Sequence, residues 1–364
     1  MNAEVAIVGN GVAGYACAAR LARHGIRPLL IGRGLPVDRP PLTKSALAKG
    51  ELALLADEAR LAERSIHTLD AMVDEADISA CRLVAGGREI VAGAVVLATG
   101  LSYRPPAVPG LDAAHVNATP AGMLRLAGAL SGGRRRVAIV GGGLIGVETA
   151  ATLATAGHDV TVLDQLARPL DRVHGPVPAP ASQTLDELGV RFVGTAAITE
   201  LQAAGDEVTV AYEGGCVVAD AVVAATGGRP ARAPGLDAEY PLPVDSAMCV
   251  PGYDRVYAVG DIVTVPQARF GPISFPHWDM AIGTGERAAD AIAGVDGELD
   301  RLPYWWSDIG PRRIAEVGWA GAVAEWRRED DLHVGRDVDG AIVCVTVVDD
   351  PRRLRAARQL VLDA

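Results

Sequence analysis

Two copies of one glycine spacing restrict this chain more than any other feature. Glu4 to Arg20 reads EVAIVGNGVAGYACAAR: an apolar run, Val5 to Val8, stops at Gly9, and Gly11 and Gly14 complete G-x-G-x-x-G before alanine-rich helical sequence resumes. In a strand-turn-helix of this kind Gly9 permits the tight turn, Gly11 removes the side chain that would keep a pyrophosphate off the backbone, and Gly14 lets the helix pack closely on the strand. Val12 and Ala13 lie between the last two glycines, where free N–H groups at the positive end of the helix meet the diphosphate. The second copy runs from Arg136 through Gly141, Gly143 and Gly146 to Glu148, with Leu144 and Ile145 in the corresponding places. Its following strand, Asp159 to Leu163, ends in Asp164. A carboxylate there accepts from both ribose hydroxyls and repels a 2′-phosphate, which favours NADH over NADPH; Arg168 is close enough to soften that preference. Each half closes on a matching apolar strand and small-residue turn, Ala98-Thr99-Gly100 and Ala225-Thr226-Gly227-Gly228. The repeat predicts an α/β fold with two Rossmann-like dinucleotide-binding domains, and hence two dinucleotide sites.

The rest of the chain supplies candidate walls for those sites. The second apolar strand, Pro28 to Ile31, runs into Gly32-Arg33-Gly34, with no acid where an adenosine ribose is normally held. Either the backbone and the Arg33 guanidinium replace it, or adenosine is held more weakly. Asp38-Arg39-Pro40-Pro41-Leu42-Thr43-Lys44 is stiffened by its two prolines and can place Lys44 at one point; taken alone it reads equally as a surface turn. Of 34 basic residues only Lys44 and Lys49 are lysine, so either marks a place where arginine would not serve. Ser45 to Glu63 has a helical pattern, and Ile66 to Val91 a β pattern carrying turn signals at Asp74 to Asp77 and Gly86-Gly87. Tyr103 to Pro106 and Pro109-Gly110 read as a crossing between domains. Further on, an apolar strand ends in Asp261, and Phe275-Pro-His277-Trp278 leads into a small-residue helix that includes Ala281. The last stretch alternates apolar and polar residues and ends in a helix.

Composition removes whole classes of function. At 364 residues and 49% hydrophobic the chain can bury sizeable cores, and no apolar stretch reaches bilayer length. A formal charge of −11 argues against nucleic-acid binding, which needs a basic footprint. The five cysteines lie far apart with no C-x-x-C pair, so neither a redox disulfide nor a cysteine metal cluster is expected, and no other metal-ligand spacing occurs. These features predict an acidic cytoplasmic enzyme.

Together these residues resemble the two-dinucleotide flavoproteins, and within them the ferredoxin reductases that serve Rieske oxygenases and cytochromes P450, the putidaredoxin and rubredoxin reductase group. The match is carried by Asp38 to Lys44, by His277-Trp278 with its helix, and by Pro303-Tyr-Trp-Trp-Ser-Asp308, similar to the start of that family's third domain. The resemblance implies an FAD domain from 1–110 and 235–302, an NAD domain from 111–234 inserted into it, and a small α+β C-terminal domain from 303–364. It implies that Lys44 and Glu148 pair beside the flavin N5. It implies FAD contacts from Gly9, Gly11, Val12, Ala13, Gly14, Arg33, Arg39, Lys44, Val73, Ala98, Thr99, Gly100, Asp261, His277, Trp278 and Ala281. NAD contacts are implied for Gly141, Gly143, Leu144, Ile145, Gly146, Asp164, Arg168, Thr226, Gly227 and Gly228. Two departures remove expected FAD contacts: the absent acid at Gly32 to Gly34, and Ala118 where the family has arginine. The implied activity is electron transfer from NADH through FAD to a small iron–sulfur protein, a ferredoxin, by a monomer or homodimer with no nucleic-acid or membrane partner. Direct reduction of a small molecule, quinone or oxygen is the alternative, and a redox-gated binding protein a second.

Overall fold

The computed structural model of the protein describes every residue except Arg104, Pro106 and His174, so that part of the Tyr103 to Pro106 crossing lies outside the described residues. The chain forms two compact units: residues 1–38, 54–102 and 229–303, and residues 39–53, 103–228 and 304–364.

In the first unit a seven-stranded sheet is built around Asn2–Val8, which pairs in parallel with Pro28–Gly32 on one side and with Arg88–Leu97 on the other. Val256–Ala258 adds a further parallel partner to Arg88–Leu97. These strands are covered on both faces, which is why Val5 to Val8, Leu29 to Ile31 and Val95 to Leu97 read as continuous apolar runs rather than alternating ones. The helix Val12–Arg23 packs on Trp278–Ile292 through small residues. A Cβ at Gly285 would lie 2.3 Å from the Ala13 carbonyl oxygen, so the close approach depends on glycine.

Two local expectations are corrected. The helical pattern of Ser45 to Glu63 is broken into Ser45–Lys49 and Glu58–Glu63: Gly50, at φ +69°, ends the first, and Asp57 caps the second by accepting from the Arg60 N–H at 2.8 Å. The acidic signal at Asp74 to Asp77 lies in the strand Val73–Asp77; the turn follows it, held by the Ala80 N–H donating to Asp77 at 3.1 Å. Local polarity marked the turn but misplaced it by one strand end.

The second unit carries a four-stranded parallel sheet in the order Arg191–Val193, Asp159–Leu163, Arg136–Val140, Ala221–Ala224. The antiparallel strands Ile198–Ala204, Glu207–Tyr212 and Gly215–Ala219 form a second sheet, with Leu201 and Val210 sharing a core with Val140 and Leu163. Residues 304–364 form a five-stranded antiparallel sheet, Tyr304–Ile309, Arg312–Gly318, Ile342–Val348, Leu332–Arg336 and Glu325–Glu329 in spatial order, backed by the helix Leu354–Asp363. Inside it the buried Glu316 carboxylate accepts from the Trp305 indole N–H at 3.1 Å and the Thr346 hydroxyl at 3.2 Å. Burial pushes its carboxyl above the ordinary range, and these hydrogen bonds only partly oppose that. Among the described residues no helix is long and apolar enough to cross a membrane.

Candidate functional site

Each glycine fingerprint folds as the same cradle. Gly9 and Gly141 have φ of +115° and +111°, and their N–H groups donate to Ile31 and Leu163 at 2.8 Å in both cases. A Cβ on either would collide with the closing strand, 2.1 Å from the Ala98 oxygen in one half and 2.3 Å from the Ala225 oxygen in the other. A Cβ on Gly14 or Gly146 would lie 2.0 or 1.9 Å from the carbonyl oxygen of the first glycine. Gly11 and Gly143 differ in kind: nothing lies within 4 Å of a Cβ there, and both are N-caps with no side-chain partner. Two glycines of each set are therefore demanded by packing, and the middle one leaves an open face at the helix N-terminus, as a pyrophosphate requires. The backbone fits a dinucleotide in both units.

Around the first cradle the structure gathers most of the expected side chains. Asp261 lies in the short turn Gly260–Ile262, whose Gly260 would bring a Cβ within 2.9 Å of the Ala13 Cβ and 4.0 Å of the Ala281 Cβ. The Thr284 hydroxyl accepts from the Gly260 N–H at 2.9 Å and fixes that turn to the helix Trp278–Ile292. Thr99 donates to the Ala231 carbonyl at 2.7 Å, closing the segment Ala98 to Gly100. His277 is the N-cap of the long helix, with its ring 6.2 Å from Phe275, and the Trp278 indole donates to Asp38 at 2.8 Å while lining a small cavity with Val12, Tyr15 and Ala16. Val73 opens the strand at the far edge of the sheet and is buried. Arg33 is exposed, and its carbonyl is engaged by Asn10.

In the second unit Asp164 closes onto its own fingerprint. Its carboxylate accepts from the Gly142 N–H and, at 2.7 Å, from the Leu166 N–H. Leu144 and Ile145 open the helix Leu144–Thr155, and Thr226 to Gly228 are exposed beyond the strand Ala221–Ala224. Arg168 does not turn to Asp164; it pairs with Asp171 at 2.7 Å. Arg39 is exposed at the start of the turn Pro40–Thr43.

Lys44 and Glu148 meet in this unit. The Lys44 ammonium lies 2.9 Å from Glu148 Oε1, with side chains only 19% and 10% exposed. The prolines do what their fixed φ suggests: Pro40–Thr43 is a single tight turn that delivers Lys44 as the cap of the helix Ser45–Lys49. The Glu148 carboxylate also accepts from the Ser307 hydroxyl at 2.6 Å and the Thr43 hydroxyl at 2.5 Å. Thr152 donates to the Thr43 carbonyl at 2.8 Å, tying the turn to the fingerprint helix. A charge this enclosed is tolerable only when paired and hydrogen-bonded, and Glu148 is both. Thr43, Thr152 and Ser307 escaped the sequence reading, although Thr43 and Ser307 stand inside the two motifs that carried the resemblance.

A pair of dinucleotide cradles with a largely enclosed lysine–glutamate pair, one partner on the second fingerprint helix, defines a nucleotide-dependent oxidoreductase. Residues 3–285 match the model of the pyridine nucleotide-disulphide oxidoreductase family, and the chain belongs to that family. It is 32% identical to the benzene 1,2-dioxygenase system ferredoxin–NAD(+) reductase subunit of Pseudomonas putida, over 99% of this chain and 93% of that one. Among solved structures it is similar to the ferredoxin reductase for the CYP199A2 system from Rhodopseudomonas palustris, with a TM-score of 0.90 and 26% identity over 99% and 94% of the two chains. The covalent putidaredoxin reductase–putidaredoxin complex matches with a TM-score of 0.88 and 26% identity, over 100% and 93%. All five cysteines are free, so the disulphide chemistry in the family's name has no cysteine pair to act through in this chain.

Proposed function

We propose that this chain is an NADH-dependent flavoprotein reductase that passes electrons through FAD to a small iron–sulfur protein serving an oxygenase or a P450, and that it works in the cytoplasm. The observation that carries the reading is the Lys44–Glu148 pair, largely enclosed beside a second dinucleotide cradle in a chain without a redox cysteine pair. The iron–sulfur partner is supported by the relatives, whose names specify a ferredoxin or putidaredoxin.

FAD, when bound, supplies the conversion of a two-electron hydride donor into one-electron steps. The chain's own contribution is binding, orientation and charge. Gly9, Gly11 and Gly14 with Asp261 fit the FAD, and Gly141, Gly143 and Gly146 with Asp164 fit the NADH. A compact ammonium suits the position of Lys44 because it keeps charge at one point, whereas a guanidinium is broad and planar. Glu148, carrying the opposite charge, fixes the ammonium and keeps the local field balanced as the redox state changes.

The test is anaerobic stopped-flow mixing of the FAD-loaded protein with NADH, followed by addition of a ferredoxin. Rapid bleaching by NADH and fast reoxidation only with the iron–sulfur protein are expected. Equal turnover with oxygen or a quinone alone would assign direct reduction of a small molecule instead.

A further inference from the structure

The two halves of the repeat differ at one pair of positions, and the difference is an exchange. In the second cradle Val140 pairs with Leu163 and the next residue is Asp164; in the first, Val8 pairs with Ile31 and the next is Gly32. The residue after the first glycine is Gly142 in one and Asn10 in the other. Gly142 lacks a side chain, and a Cβ there would lie 3.1 Å from Asp164 Oδ2. Gly32 lacks a side chain, and a Cβ there would lie 2.4 Å from both Cγ and Oδ1 of Asn10. The same space is filled from the strand end in one half and from the glycine turn in the other.

We infer that Asn10 replaces the missing strand-end acid and that its amide oxygen receives an adenosine ribose hydroxyl of FAD; this rests on the flavoprotein reading above. The Asn10 amide nitrogen donates to the carbonyls of Arg33 at 3.1 Å and Gly34 at 2.9 Å. Those two bonds fix the orientation of the amide and leave Oδ1, which accepts from no described residue, as its remaining polar atom. The carboxylate of the neighbouring strand, Asp70, is aligned with Gly32 in register and accepts from the Gly34 N–H at 3.2 Å. Gly34 and Asp70 also rim a cavity of about 690 Å³ whose walls mix Leu35, Leu61 and Ile66 with Arg27, Glu58 and His67. A neutral amide presents one acceptor oxygen where a carboxylate presents two.

The experiment compares binding of FAD and of its 2′,3′-dideoxyadenosine analogue to the apoprotein by flavin fluorescence, with circular dichroism of each variant as the folding control. The wild type should prefer FAD by about tenfold, the size of one well-made hydrogen bond. Asn10→Gly should bring that preference below threefold. Gly32→Asp alone should weaken FAD through collision with Asn10, and Asn10→Gly with Gly32→Asp together should restore the preference by rebuilding the arrangement of the second cradle. Should Asn10→Gly keep the full preference, or the double variant lose more than either single, the assignment to Asn10 is wrong although the protein still binds flavin. Absence of FAD binding by the wild type would overturn the flavoprotein reading itself, and this inference with it.

Discussion

The hydroxyl of Ser307 donates to Glu148 Oε1 at 2.6 Å, the same oxygen that lies 2.9 Å from the Lys44 ammonium. One carboxylate oxygen thus receives a donor from the C-terminal sheet and one from the proline-stiffened turn. Hydrogen bonds to a buried charge are about 1.5 to 3 kcal/mol each in net terms, so neither donor is incidental.

Replacing Ser307 with alanine should therefore slow reduction by NADH several-fold with little change in the NADH Michaelis constant, and Ser307→Thr should restore the rate. Stopped-flow bleaching at several NADH concentrations separates the two effects. A changed Michaelis constant with an unchanged limiting rate would place Ser307 outside the setting of the ion pair.

Lys44→Ala removes the ammonium and leaves the buried Glu148 with its two hydroxyl donors. Reduction by NADH should fall by at least ~30-fold, about 2 kcal/mol of barrier, while FAD stays bound. The bound flavin spectrum and the bleaching rate, measured on the same sample, decide it.

Coenzyme preference should respond to Asp171 as well as Asp164. Asp164→Ala should raise the NADH Michaelis constant with less effect on the maximal rate. Asp171→Ala releases Arg168 from its ion pair and should improve NADPH by a few-fold, a small effect because the Arg168 side chain is 64% exposed. The ratio of kcat/KM for the two coenzymes is the readout.

Glu316 predicts a pH dependence of stability. Its folded carboxyl is raised above the ordinary 4.5, so between that value and the folded one the native state binds more protons than the unfolded state, and stability falls as pH rises. Glu316→Gln keeps the shape and can still accept from Trp305, but removes the titration. Melting temperature followed from pH 4 to 8 should decline less steeply in the variant, with the largest gain at the alkaline end.

Much of this architecture was legible because its signals are local. Strand Asp159–Leu163 and its terminal Asp164, the two glycine turns and the helix after His277 follow from short-range spacing and backbone sterics. The break at Gly50 to Asp57 was hidden because the helical pattern continues across it, and only the glycine in the left-handed region and the aspartate cap reveal two helices. Ser307 and Thr43 were hidden for another reason: their role is set by Glu148, 159 and 105 residues away along the chain, and a lone hydroxyl carries no periodic signature. Asn10 was passed over because the fingerprint leaves its second position unspecified. The absent acid at Gly32 was visible, but what fills its place depends on strand register.

The donors to Glu148 come from the turn at Pro40–Thr43 and from the strand Tyr304–Ile309, far apart along the sequence. A nascent chain emerging from the ribosome therefore completes this charge's surroundings only after residue 307 is free of the exit tunnel. Products of premature termination before that point would keep both glycine turns yet hold a carboxylate short of one partner. Synthesis beyond residue 307 is thus a condition for the ion pair to reach its final setting.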